Sequence, residues 1–176
     1  AVAVAVGNSP SLALSPDGTV AAGGANGNSQ LGNGTNTASS VPVAVTTSGV
    51  LAGRTVVAIA AGSYFNLALC SDGKPVSWGA GGNGQLGNNS LGTESNLPVN
   101  VATNGVLAGK VVAAISAGNA HALALCTDGT LVGWGSNNWG ESGGNSGTYI
   151  QAPVLISPLG ALAGKTVTAI AAGYQH

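Results

Sequence analysis

Charge is scarce in this 176-residue chain: four Lys and Arg stand against five Asp and Glu, for a net charge of −1. Binding to nucleic acid needs several clustered cations to neutralise phosphate, so this composition argues against it. Arg54, Lys74, Lys110 and Lys165 read as scattered. With only nine such groups (4+5) spread along the chain, a cluster of ionisable residues fit for catalysis is not expected, and the chain reads as a non-enzyme without a cofactor. Methionine is absent and aromatic residues make up 4%. No stretch approaches the roughly 18 apolar residues that a membrane-crossing helix needs. The two cysteines, Cys70 and Cys126, have no histidine at ligand spacing, so no zinc site is expected. They stand 126−70=56 residues apart at equivalent places, and read as small buried strand residues and not as a disulfide. The opening AVAVAVG has no charged n-region and is too short for a signal core, so it is not a signal peptide. A chain that starts on Ala1 reads as processed, or as a window from a longer repeat protein. Charged residues at 5%, where about a quarter is usual, point to an extracellular or cell-surface protein of microbial, here bacterial, origin.

What the chain does have is small apolar residues, 30 glycines and a repeat. Gly7, Gly62, Gly118 and Gly173 follow one another at steps of 62−7=55, 118−62=56 and 173−118=55. The same step relates Asp17-Gly18, Asp72-Gly73 and Asp128-Gly129, and likewise Pro42, Pro98 and Pro153. A fixed period of this length marks one supersecondary unit copied beside itself.

The second copy shows the unit most clearly. TVVAIAAG (55–62) is a β-branched run of strand length, and SYFNLALC (63–70) is a second. Asp72-Gly73 signals a hairpin, KPVSWG (74–79) returns, and LPVNV (97–101) forms a fourth strand whose Pro98 suits a sheet edge. Four short antiparallel strands cannot bury both faces alone, and radial stacking of such sheets is the logic of a β-propeller. The expected organisation is all-β: blades at 1–54, 55–110 and 111–165, then the first strand of a fourth repeat at 166–176.

The pattern AIxAGxxHxLALxxDGxLxxWGxNxxGQLG, read here as AISAGNAHALALCTDGTLVGWGSN and as AIAAG, LALCSDG and SWGAGGNGQLG, resembles the repeat of the regulator of chromosome condensation family. That resemblance covers essentially the whole chain. It implies three blades of a propeller of about seven. Copy one departs most, with Pro10 at the histidine position and Gly23 at the tryptophan position; copy two has Phe65 for histidine, and copy three turns GQLG into GESG. The best-known family member is a nucleotide-exchange factor for a Ran-type GTPase that also docks on nucleosomes. Neither its wedge hairpin nor a basic arm is visible here.

The repeat-structural residues are Gly62, Gly118, Gly173, Asp72, Gly73, Asp128, Gly129, Trp78, Trp134 and His121. The aspartates are expected to cap their hairpins and not to hold metal. The tryptophans are expected to pack between blades, and His121 to bond neighbouring backbone. GAGGNGQLG has no Gly-Lys-Ser/Thr end, so it is not a phosphate loop. Trp139, with Asn138 and Glu141, breaks the repeat in a polar loop and is the candidate partner contact. Asn33-Gly34-Thr35 and Asn88-Asn89-Ser90 match the glycosylation sequon. Loops 24–41, 79–97 and 135–152 differ between copies on a constant frame, where binding specificity tends to sit. The resulting expectation is a non-catalytic scaffold for a protein partner, or for self-association through loops and edge strands. Its rivals are a subunit of an extracellular filament and a guanine-nucleotide exchange factor.

Overall fold

Strand-length runs of Val, Ile, Leu and Ala, broken by Asp-Gly and Asn-Gly turns, build three four-stranded antiparallel sheets in a computed structural model that describes residues 2–143, 147–157 and 162–176. The first holds β1 (Ala3–Val6), β2 (Pro10–Leu14), β3 (Val20–Gly24) and β4 (Ser39–Ala44). The second holds β5 (Val56–Ala61), β6 (Phe65–Cys70), β7 (Pro75–Gly79) and β8 (Ser95–Asn100). The third holds β9 (Val112–Ala117), β10 (His121–Cys126), β11 (Leu131–Ser136) and β12 (Tyr149–Leu155). Each sheet is ordered as its strands follow in the chain, and no α-helix occurs among the described residues. These are β-propeller blades.

The sheets stack face to face, and the period of two along a strand explains how. In β6, Phe65, Leu67 and Leu69 belong to the core shared with the third sheet, whereas Ala68 and Cys70 belong to the core shared with the first. Large side chains on one sheet meet small ones on the next. Leu12 and Leu14 pack in the same core as Ala68 and Cys70, and Leu67 and Leu69 in the same core as Ala122, Ala124 and Cys126. Every residue of β6 and β7 is buried, as a strand covered on both faces requires. Cys70 and Cys126 are buried free thiols in separate cores.

The recurring prolines have a sharper role than marking an edge. Between the pairs Ser77↔Val99 and Gly79↔Ser95, Trp78 alone opposes Asn96, Leu97 and Pro98. The first and third sheets repeat this bulge with Pro42 and Pro153. A bulge leaves a residue out of the ladder, where the missing N–H of proline costs nothing.

The expected strand at 166–176 is corrected. Residues 166–171 join no sheet, although the turn after them forms, with the Gly173 N–H donating to His176 O at 2.7 Å as Gly62 does to Phe65 O. This segment meets the face of the third sheet and not its edge: the Ala172 N–H donates to the Ser116 hydroxyl at 2.9 Å. A strand needs a ladder partner alongside it, and a sheet face offers none.

Candidate functional site

Strands that alternate in direction bring the β1–β2 type turns and the β3–β4 type loops out at the same end of every blade. The period-55 glycines lie in those turns. A Cβ on Gly7 would fall 1.9 Å from Gly62 O, on Gly62 2.7 Å from Gly118 O, and on Gly118 2.5 Å from Gly173 O. Each turn therefore abuts the carbonyl of the next, and only a residue without a side chain fits. Backbone bonds continue the row, from the Ser63 N–H to Asn119 O (3.1 Å) and from the Asn119 N–H to Tyr174 O (3.3 Å).

The QLG motif is a second joint. The Gln30 and Gln85 side-chain oxygens accept from the Asn28 and Asn83 N–H groups, both at 2.8 Å, which tightens the turn. Their main-chain carbonyls face the following blade and accept from the indole N–H groups of Trp78 (3.1 Å) and Trp134 (3.0 Å). The Asn66 amide also donates to Gln30 O at 2.7 Å. Both indoles are fully buried. Gly32 and Gly87 lie flat against those rings with φ of 62° and 63°. Sequence reading placed the tryptophans between blades but missed the glutamine carbonyls; the recurrence of QLG 55 residues apart was the signal.

The variable loops are stitched to one another from that frame. The Gly34 N–H donates to Asn96 O at 2.9 Å, and one repeat later the Asn89 N–H donates to Gln151 O at 3.0 Å. Asn26 is buried and binds Thr35 O, Thr37 O and the Leu31 N–H from inside the first loop. Asn137 holds the Ser142 N–H and Gly147 O at the equivalent place in the third. Gly144, Asn145 and Ser146 of the third loop lie outside the described residues.

Trp139 is 75% exposed at the tip of the third loop, beside the exposed Asn138. Glu141, the third residue of that candidate contact, is bonded within its own loop. It stands where the other copies have glutamine, and its carboxylate accepts from the Trp139 N–H (2.7 Å) and the Ser136 hydroxyl (2.6 Å). Burial pushes its carboxyl up, but those donors and its own N–H outweigh burial and hold it below the ordinary value. Both bonds turn the Glu141 carboxylate back onto its own loop, where it holds the main chain at Trp139. Beside the glycine row runs an open groove of about 580 Å³ lined by Asn8, Ser63, Tyr64, Asn119 and Tyr174. Tyr64 and Tyr174 are exposed there, and among the described residues no charged side chain lines it.

The opposite end corrects the view of the cations as scattered. Arg54, Lys110 and Lys165 recur at steps of 110−54=56 and 165−110=55. Arg54 binds Asp72 at 2.9 Å, and Lys110 binds Asp128. Asp17, Asp72 and Asp128 each accept the N–H two residues on, closing their hairpins. The Lys110 ammonium, followed by the Thr130 N–H, holds the Asp128 carboxyl well below the carboxylate range. At Asp72 slight burial acts upward, and the Arg54 bond and the Lys74 N–H overcome it to leave a lowered value. No group of three or more His, Cys, Asp and Glu able to hold a metal ion occurs among the described residues.

His121 differs from expectation. It takes the place of Phe65, fully buried, with its ring against Gly118 and neither nitrogen hydrogen-bonded. Burial lowers its pKa, partly opposed by the Glu141 carboxylate.

Residues 17–69 and 72–125 match the Regulator of chromosome condensation (RCC1) repeat, as do residues 56–85 and 112–141 in a second form. The human E3 ubiquitin-protein ligase HERC2 is 33% identical over 99% of this chain, which spans 3% of that protein. The mitochondrial RCC1 domain-containing protein RUG3 of Arabidopsis thaliana is 36% identical over 76% of this chain and 28% of its own length. The crystal structure of Prp20p from Saccharomyces cerevisiae, described together with its binding to Gsp1p and histones, superposes with a TM-score of 0.79 at 25% identity. That match covers 98% of this chain and 41% of Prp20p.

Proposed function

Since this chain belongs to the regulator of chromosome condensation repeat family, we propose that it is a non-catalytic β-propeller scaffold that presents its loop end to a protein partner. The observation that carries this reading is the contrast between frame and rim. The QLG joints and stitches recur from copy to copy, while the loops they hold differ and one ends in the exposed Trp139. An exposed tryptophan on a fixed loop binds with little ordering cost and is among the residue types enriched at interface hot spots. Partners are identified by crosslinking the native protein in its source cells and then titrated in purified form. Trp139→Ala weakens the true partner by about thirtyfold with an unchanged melting temperature. A partner bound equally well by the variant contradicts the reading.

A second reading, regulation of a small GTPase, is favoured by the likeness to Prp20p, which is described as binding Gsp1p. Accelerated release of fluorescent nucleotide from a Ran-type GTPase by the chain would select it. Contact with histone-bound DNA fits poorly with a net charge of −1. An extracellular setting rests on the sparse charge, and lateral assembly on the exposed Val2, Val4 and Val6 of the first blade. Fractionation of the source cells decides the first, and a chain that sediments as a monomer excludes the second.

A further inference from the structure

The chain contains four Asn-Gly dipeptides: Asn26-Gly27, Asn33-Gly34, Asn83-Gly84 and Asn104-Gly105. Glycine after asparagine leaves the following main-chain nitrogen open to approach by the side-chain carbonyl carbon. Ring closure between the two needs an amide free to swing and an N–H free of other bonds.

The fold withdraws one of these at three of the four places. Asn26 is fully buried and its amide donates to Thr35 O at 2.8 Å and Thr37 O at 3.1 Å. The Gly34 N–H is held by Asn96 O at 2.9 Å, and the Gly84 N–H by Gly81 O at 3.0 Å. Asn104, in the connector from β8 to β9, is exposed. Among the described residues neither its side chain nor the Gly105 N–H has a hydrogen-bond partner, and nothing lies within 4 Å of where a Gly105 Cβ would be.

We propose that Asn104 is a site of spontaneous deamidation selected by the fold. The Gly105 nitrogen bonds to Cγ of Asn104 and loses its proton, the Cγ–Nδ2 bond breaks, and Nδ2 leaves as ammonia, closing a succinimide. Water adds to either imide carbonyl and reopens the ring to aspartate or isoaspartate. An amide and water thereby become a carboxylate and ammonium, with no redox partner. The product adds a negative charge to a chain of net −1. It does so next to Thr103, which lines a cleft with Arg54, Asp72 and Lys74.

The test is peptide mapping by mass spectrometry, with isoaspartate detection, of the native chain held in warm, mildly alkaline buffer. The acid and isoaspartate products form at Asn104 at least about tenfold faster than at Asn26, Asn33 or Asn83. In urea the four rates converge. Asn104→Ser, which imports the residue of the first repeat (Ser48), removes the fast product and keeps the fold. A native chain that reacts at another Asn-Gly as fast as at Asn104, or a preference that survives in urea, overturns the proposal.

Discussion

At the scale of single residues, the same position carries different chemistry in different copies, and each difference is an experiment already set up. Pro10, Phe65 and His121 share one place, but only the histidine titrates. Its folded pKa lies below the unfolded value of about 6.5. As pH falls through that value the unfolded chain takes up a proton that the native chain resists, so stability declines from about pH 6.5 downward. His121→Phe removes this decline, measured as melting temperature at pH 7.5 and 5.5. Asp17, Asp72 and Asp128 have lowered values, so the stability they supply is lost only at more acid pH, below about 4. Gly87 shows a second kind of constraint. A Cβ there would stand 2.6 Å from the Trp134 indole nitrogen at a φ of 63°. Gly87→Ala costs about 1–2 kcal/mol from conformation alone, and more from the displaced ring, measured by urea unfolding.

At the scale of strands and joints, sequence period carried far. Hairpins, strand runs and tryptophan positions were legible because each has a local cause: Asp-Gly turns, alternation and recurring bulk. What escaped depended on atoms of two repeats at once. The Gln30 carbonyl matters only because Trp78 comes to it, and nothing within one copy reveals that meeting. Arg54 likewise looked isolated, yet its guanidinium gathers Val50 O, Asn100 Oδ1, Asp72 and Lys74 O. The segment 166–171 carries the strand pattern and still joins no sheet, because pattern states what a segment would suit and not which neighbour it has. Arg54→Lys keeps the charge and loses the planar fork, so it destabilises more than removal of an exposed ion pair would. We expect a loss of roughly 1–3 kcal/mol in denaturant titration, against at most about 1 kcal/mol for Lys110→Ala.

At the scale of the molecule, the three blades are unequal in their surroundings. The second has a sheet on each side, whereas the first has Val2, Val4 and Val6 in the open. Hydrogen exchange therefore ranks them: amides of β6 and β7 exchange slowest, those of β1 much faster, and those of residues 166–176 fastest of all. Equal protection in the first and second blades would contradict this account. The glycine row carries a consequence for the origin of such chains. Both junctions between the three sheets use the same glutamine carbonyl, the same indole and the same bare α-carbon, so the join is a standard coupling. Gene duplication that inserts or removes one whole period leaves every remaining coupling intact. Ring size can thus drift through evolution while the rims diverge, without any single substitution having to invent a new contact.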